Sequence, residues 1–289
     1  PQQRGAALGS GRRRRAHHTR WQSGRFGEPH WQSLRRAGAL FARPVGDRGR
    51  SAARHAPDPR RCARGNHAGV GLAQAIRFRG GFADYAHNEL DAAGNVGTTF
   101  LHQGWEGRLE LVQRDPGGWK GAVGAQFVLR KLNIIGDEKF LPKSNASQAG
   151  IFTVQQFDLG AIRAEAGGRI ERSHVSAAED AALGTPDRSR TFTAVSGSLG
   201  AAYELTHGWR IGLNASYTER APSAEELFSD GPHAGTQAFE VGNPGFQKEA
   251  SKGLELTLRG SGAGYSLSAS LYHSWFDNFI YEQPDGSLR

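Results

Sequence analysis

Apolar and polar residues alternate over runs of ten or so positions, and this feature most constrains the chain's fold. In WRIGLNASYT (Trp209–Thr218) every odd position is apolar or aromatic. The same period of two recurs in TAVSGSLGAAYEL (Thr193–Leu205) and GLELTLRG (Gly253–Gly260). Because successive side chains of a β-strand point to opposite faces, each run predicts a strand with one apolar face. Ordinary strands have about five or six residues, whereas a tilted strand crossing a bilayer needs about nine to eleven.

Connections of two kinds separate these runs. Tight turns are predicted at Asp115–Gly118, Asp158–Gly160, Thr206–Gly208 and Gly260–Gly264, and long connections near 87–97, 133–150, 174–190 and 220–250. Short and long connections therefore alternate along the chain. This alternation is typical of an up-and-down outer-membrane barrel, which has tight turns on one side and long loops on the other.

Aromatic residues support a membrane barrel. Five of them are predicted to form a girdle beside the tight turns: Trp105, Trp119, Tyr203, Trp209 and Tyr265. The sequence thus predicts an all-β, antiparallel, up-and-down transmembrane β-barrel of about nine strands. The strands of a soluble β-sandwich also alternate between apolar and polar residues, but a sandwich does not account for strands this long.

The predicted barrel is incomplete. Nine strands is an odd number, the chain starts with Pro1 and has no Met, and it ends in PDGSLR (Pro284–Arg289), inside a predicted loop. A bare sheet edge is not tolerated in hydrocarbon. We therefore expect a fragment of a larger barrel.

The first part of the chain differs in composition. Residues 1–70 carry 16 arginines, no lysine and three carboxylates, a balance of +13, whereas residues 71–289 have a balance of −5. Two domains are predicted: an Arg-rich, low-complexity, disordered segment at 1–74 and a partial barrel at 75–289. Three origins stay open for the first segment: a disordered tail, a nucleic-acid-binding arm at GRRRRAHHTR (Gly11–Arg20), or translation out of frame.

Several motifs occur in a fixed order: RGGFADYAHNE (Arg79–Glu89), ERAPSAEELFSDGPH (Glu219–His233), FEVGNP (Phe239–Pro244), GLELTLR (Gly253–Arg259) and YHSWFDNFIY (Tyr272–Tyr281). Over about residues 75–289 the chain resembles TonB-dependent outer-membrane receptors, and Arg220–Pro244 resembles a long extracellular loop of that family. The resemblance implies a 22-stranded barrel with an N-terminal plug, which imports scarce nutrients with energy relayed by the TonB protein. Nothing in the sequence resembles the plug, the TonB contact box or the terminal aromatic strand.

The loop after Arg220 has a helix signature of its own. SAEE is a capping box with Ser223 at the N-cap and Glu226 at N3, and Asp230-Gly231-Pro232 is predicted to end the helix. Residues predicted to contact a ligand in this loop are Arg220, Glu225, Glu226, Asp230, His233 and Glu240. The alternative is that these motifs only shape the loop.

The cargo implied by the resemblance is a metal or a metal chelate, either a ferric siderophore or zinc. Histidines in or near predicted outer loops, with nearby carboxylates, offer N and O ligands: His87, His102, His174 and His233, with Asp84, Glu89, Asp230 and Glu240. His233 with Asp230 or Glu240 is the predicted pair.

No catalytic motif, cofactor motif or CxxC pair occurs, and Cys62 is the single cysteine. We therefore expect a transporter, not an enzyme, without a cofactor and in the bacterial outer membrane. Its expected partners are membrane lipid, TonB and the cargo, and not nucleic acid. The alternative function is that of a soluble β-rich binding protein whose basic arm binds nucleic acid.

Overall fold

A computed structural model describes residues 17–26, 62–66, 73–90, 94–233, 236 and 238–288. The strands in chain order are β1 (His17–Phe26), β2 (Cys62–Asn66), β3 (Ala73–Leu90), β4 (Val96–Gln113), β5 (Trp119–Gly136), β6 (Ser144–Leu159), β7 (Ile162–Ala177), β8 (Arg188–Thr206), β9 (Trp209–Arg220), β10 (Asp230–His233), β11 (Ala238–Val241), β12 (Glu249–Gly262) and β13 (Tyr265–Leu288). In these described ranges there is one helix, α1 (Ala224–Phe228), which lies between β9 and β10. Within the described residues, no helix is both long and apolar enough to cross a membrane.

All the described strands belong to one sheet. Its order is β10-β11-β1-β13-β12-β9-β8-β7-β6-β5-β4-β3-β2. Nine long strands, β3 to β9 with β12 and β13, form an antiparallel meander, and β9 pairs with β12 across the long loop. The predicted antiparallel, up-and-down barrel wall of about nine strands is confirmed. The two ends of the described sheet, β10 and β2, do not pair with each other, so this wall is not closed.

The structure differs from the sequence prediction in the Arg-rich segment. The sequence predicts a disordered segment at 1–74, whereas β1 and β2, which lie within it, are strands. β1 pairs with β13 in antiparallel and with β11 in parallel orientation. These segments are strands because they pair with the edges of long neighbouring strands. The order of apolar and polar residues in a short segment does not reveal such pairing. The rest of that segment, including Arg12–Arg15, lies outside the described residues, so the boundary at residue 74 stays a prediction.

The four predicted tight turns lie where the sequence placed them. In the β4–β5 turn, the Asp115 carboxylate accepts hydrogen bonds from the backbone N–H groups of Gly117 (3.1 Å) and Gly118 (2.6 Å). Both glycines have positive φ, 119° and 89°, which a residue with a Cβ rarely adopts. Interactions between residues that are close in sequence therefore determine the turn at this end of the sheet.

The connections at the opposite end are shorter than predicted, since the strands extend beyond their alternating runs. They span 91–95, 137–143, 178–187 and 221–248. The first is no longer than the β4–β5 turn, so the prediction of a long connection near 87–97 was wrong. The loop after β9 is the long one.

The outward face of the sheet is an exposed apolar surface, as predicted. It includes Leu109, Phe127, Ile151, Ile170, Leu199, Leu213 and Leu256. Trp119, Trp209 and Tyr265 are the first residues of their strands, and Tyr203 is near the end of β8, so these four form the predicted girdle at the turn end. Trp105 does not belong to it. It lies within β4, 4.3 Å from the ring of Phe82, because β4 begins far upstream of the run from which it was predicted.

The buried core lies at the loop end of the sheet, between the strand ends and α1. Ile134, Leu141 and Leu227 are fully buried there, and Phe228 and Phe246 pack in the same cluster. The inward face below this cluster is polar. Arg108, for example, donates to Glu110 (2.7 Å) and to Gln126 (3.1 Å). A polar inner face suits a water-filled or plugged lumen.

We expect Leu213→Arg to destabilise the protein in a membrane by about 2–4 kcal/mol, because it places a charge on the lipid side near the midplane. Leu213 is the fifth residue of β9, and 56% of its surface is exposed. Asn214→Arg, the adjacent inward position, should change stability little. Urea unfolding of the protein in phospholipid vesicles measures both. Equal effects of the two variants would contradict the assigned faces.

Candidate functional site

The loop from β9 to β12 folds over the loop end of the sheet, and α1 begins it. The side chain of Ser223 accepts a hydrogen bond from the N–H of Glu226 (3.3 Å), and the Glu226 carboxylate accepts one from the N–H of Ser223 (2.7 Å). The predicted capping box and helix are confirmed. The helix ends at Phe228 with Ser229 as its C-cap, and Asp230-Gly231-Pro232 begin β10 instead of a turn.

Arg220 and Glu226 anchor this loop. The Arg220 guanidinium donates to both oxygens of Glu226 (2.8 and 3.0 Å) and to Glu249 (3.2 Å). Glu249 in turn accepts from the N–H of Ile280 (3.0 Å) on β13. Because Arg220 is shared between two carboxylates, Arg220 and Glu226 are already engaged in holding the loop to the sheet.

His233 and Glu240 meet on the β10–β11 hairpin. The hairpin register places Gly231 opposite Glu240 and His233 opposite Ala238, so His233 and Glu240 share one face. The Nδ1 atom of His233 lies 2.7 Å from a Glu240 carboxylate oxygen, and Thr236 donates to the same oxygen (3.0 Å). The His233 ring stacks on Phe140 with 4.1 Å between ring centres.

His87, Glu89 and Thr98 lie on the adjacent inward face of β3 and β4. His87 stacks on Phe100 (4.5 Å, interplanar angle 3°), and Phe100 is 6.4 Å from His233. His102 follows on β4, close enough for His87 to influence it electrostatically. We call the set His87, Glu89, Thr98, His102, His233 and Glu240 the mouth cluster.

Three buried polar atoms of the mouth cluster have no hydrogen-bond partner within the part of the chain that the structure describes: Nδ1 of His87, one carboxylate oxygen of Glu89 and the hydroxyl of Thr98. Thr98 is only 1% exposed. Buried polar groups in proteins are nearly always hydrogen-bonded, and leaving one unpaired costs about 1–3 kcal/mol. These atoms therefore offer free bonding capacity to a ligand or to water.

The structure separates the other predicted residues from this cluster. Asp230 lies on the opposite face of β10 from His233 by strand alternation, and its N–H donates to the carbonyl of Phe140 (2.8 Å). Asp84 and His174 lie on the outward face. Glu225 lies on α1 and influences His102 electrostatically. The structure thus brings Glu240 to His233 and keeps Asp230 from it.

The mouth cluster does not form a complete metal site on its own. Among the described residues, no group of three or more His, Cys, Asp or Glu side chains is placed to hold a metal ion. His233 and Glu240 supply one nitrogen and one oxygen donor, whereas zinc in proteins usually takes four ligands. A metal bound here needs further ligands from elsewhere.

The pKa of His233 reflects two opposing influences. Burial by itself lowers the pKa, but the hydrogen bond to Glu240 and the charges of Glu240, Glu89 and Glu282 outweigh it and raise the pKa above 6.5. The contact with Glu240 therefore favours the protonated form of His233, in which the two side chains form an ion pair.

Sequence reasoning missed Thr98, Phe100 and Phe140 in this region. Thr98 and Phe100 lie on the inward face of β4, upstream of the run from which this strand was predicted, so the pattern did not indicate them. Phe140 lies in a connection between strands, where no period exists. Only the fold of the loop places its ring against His233.

A family model described as "TonB dependent receptor-like, beta-barrel" matches residues 6–288. Among solved structures, the copper transporter OprC is 18% identical with a TM-score of 0.61, and the match covers 74% of this chain and 37% of that chain. The FrpB iron transporter from Neisseria meningitidis (F3-3 variant) is 10% identical with a TM-score of 0.56, covering 72% and 35%. A double mutant of the Serratia marcescens hemophore receptor HasR, in complex with its hemophore HasA and heme, is 16% identical with a TM-score of 0.55, covering 72% and 37%.

At these identities the structural likeness shows the fold alone. The chain spans just over a third of the length of the solved structures that it matches.

Glu226→Ala removes one side of the capping box and two of the hydrogen bonds of Arg220. We expect it to loosen the loop by about 1–3 kcal/mol, since it leaves Arg220 with fewer acceptors. Limited proteolysis should then cut within 221–248 several-fold faster. Glu225→Ala, one residue away on α1, is the matched control and should leave the rate nearly unchanged. Similar cleavage rates for both variants would contradict the anchoring role.

The raised pKa of His233 predicts a pH dependence. The stabilisation from the charged pair is fully present below the ordinary pKa of 6.5 and is lost as the pH rises through the raised value. NMR titration of ¹³C-labelled histidine should give His233 a midpoint above 6.5. In Glu240→Gln the midpoint should fall, because burial remains while the principal acidic partner is removed. An unchanged midpoint in that variant would contradict the pairing.

Proposed function

The chain belongs to the family of TonB-dependent receptors, β-barrels of the bacterial outer membrane, and we propose that this protein imports a metal chelate. The observation that carries the proposal is the mouth cluster, which has imidazole and carboxylate groups beneath a structured loop and three polar atoms without a partner among the described residues. Such groups suit the binding of a metal or of polar atoms around one.

A chelated metal fits the mouth cluster better than a bare ion. The described residues supply the His233–Glu240 donor pair but no group of three ligands. A chelate, such as a ferric siderophore, brings most of its own metal ligands and needs polar and aromatic contacts from the protein. Phe100 and Phe140, beside the cluster, provide aromatic surface for such a ligand.

Zinc is the second candidate cargo. The nitrogen of His233 and the oxygen of Glu240 are donors that zinc accepts in proteins, and their 2.7 Å contact places them together. With zinc bound, either both Glu240 and His233 act as ligands, or one of them is a ligand and the other orients it through a hydrogen bond. The remaining ligands come from other residues or from water.

Energy for import is proposed to come from TonB, the partner that gives the family its name. The soluble alternative, in which a basic arm binds nucleic acid, has less support, because the family match includes the Arg-rich segment from residue 6 onwards. Transport, and not catalysis, is the proposed activity.

We expect His233→Ala to reduce cargo uptake several-fold, because it removes a ring and a donor from the mouth cluster. Bacteria that rely on this gene for uptake are supplied with either a radiolabelled ferric siderophore or radiolabelled zinc, under limitation for that metal. His207→Ala, in the β8–β9 turn at the other end of the sheet, is the matched control. Loss of ferric uptake alone supports the chelate, and loss of zinc uptake alone supports zinc. Unchanged uptake of both would contradict a role for the mouth cluster.

A further inference from the structure

An apolar groove crosses the outward face of β3 to β8. It has a volume of about 600 Å³ and runs between Phe78, Phe127, Ile151 and Ile170 over the small residues Ala125 and Ala149. Volumes of roughly 300–1,000 Å³ are typical of sites that bind small molecules. We call it the outer groove.

The strand register creates the outer groove. Ala125 lies opposite Ile151, and Ala149 lies opposite Phe127, so small and large side chains face each other across neighbouring strands. The Phe127 ring leans over Gly107, where an added Cβ would come within 2.2 Å of it. Because the ring lies towards β4, the surface above Ala149 is left open.

Arg172 lies at one end of the outer groove. The register places it between Ala149 on β6 and Thr193 on β8, and it is exposed. It is the eleventh residue of β7, counted from the tight turn at the girdle end. A tilted strand crosses the membrane in about nine to eleven residues. Arg172 therefore lies at the outer boundary of the apolar band.

The charge around Arg172 is positive. The outward positions of β5 to β8 include Lys131 and Arg172 but no carboxylate. The outward acids of the next strands, Glu219 and Asp277, already pair with Lys248 and Lys252. Within the described residues no salt bridge involves Arg172.

His174 adds to this polar end. It is the next outward residue of β7, and its Nδ1 lies 2.9 Å from the Thr191 hydroxyl. An apolar groove that ends in a guanidinium and an imidazole at headgroup level is complementary to a lipid with an acyl chain and an anionic headgroup. Guanidinium groups bind phosphate through two parallel hydrogen bonds.

We propose that the outer groove and Arg172 form a specific site for a phosphate-bearing lipid of the outer leaflet. One acyl chain lies along Phe127, Ile151 and Ile170, and the phosphate accepts hydrogen bonds from Arg172. The site faces the membrane and is separate from the mouth cluster, so it does not depend on which cargo the protein imports. The simpler alternative is an arginine whose charged group only extends to the membrane interface. That alternative does not require a groove beside the arginine.

The test is native mass spectrometry of the full chain extracted from outer membranes in detergent. The probe is dimyristoyl phosphatidic acid, compared with phosphatidylcholine of the same chains. We expect the phosphatidic acid adduct to persist and Arg172→Gln to reduce it about tenfold, as for loss of hydrogen bonds to a charged group. Lys252→Gln, an outward cation paired with Asp277, is the matched control and should retain the adduct.

A second variant tests the groove itself. Ala149→Phe keeps Arg172 but fills the floor, and it should reduce the adduct several-fold while excess inorganic phosphate leaves it unchanged. The proposal is overturned if Arg172→Gln and Lys252→Gln lower the adduct equally, if Ala149→Phe has no effect, or if inorganic phosphate displaces the lipid. Circular dichroism of each variant confirms that it retains the β-sheet of the parent chain.

Discussion

Backbone hydrogen bonding between neighbouring strands is the interaction on which the rest of this structure depends. Hydrocarbon offers no partner to an unpaired N–H or C=O group, so a membrane-spanning sheet must pair every strand along its length. β6 and β7 do so from Ser144 opposite Ala177 to Leu159 opposite Ile162 without a register shift. Unbroken register keeps apolar positions such as Ile151 and Ile170 together on the lipid side, and it positions the residues of both proposed sites.

The loop end of this wall is covered by a loop that is held by charge as well as by packing. Arg220 joins the helix carboxylate Glu226 to Glu249 on β12, and the buried side chains of Leu227 and Phe228 fill the space below. The Arg220 ion pairs are only partly buried, and they add less to stability than their geometry suggests, because the charged groups lose part of their hydration. Here the ion pairs of Arg220 hold the loop in one position over the lumen. In this position His233 lies beside the inner face of β3 and β4.

The two proposed sites use opposite faces of the same strands. β4 contributes Thr98 and His102 to the mouth cluster, while Leu109, an outward residue of that strand, lines the outer groove. The proposed cargo site inside the barrel and the proposed lipid site outside it therefore lie on one sheet without sharing a side chain. Substitutions can be placed on either face separately, since the alternation of β4 separates them.

The sequence by itself determined the features that depend on near neighbours in the chain. The period of two in Trp209–Thr218, the Asp115–Gly118 turn and the Ser223–Glu226 capping box are each encoded within a few residues, and each was predicted correctly. Only the tertiary structure decided which distant residues meet. Glu240, and not Asp230, reaches His233 because hairpin register and strand alternation decide the face. Likewise, β1 is a strand because the edge of β13 pairs with it, and its own residues carry no period that shows this.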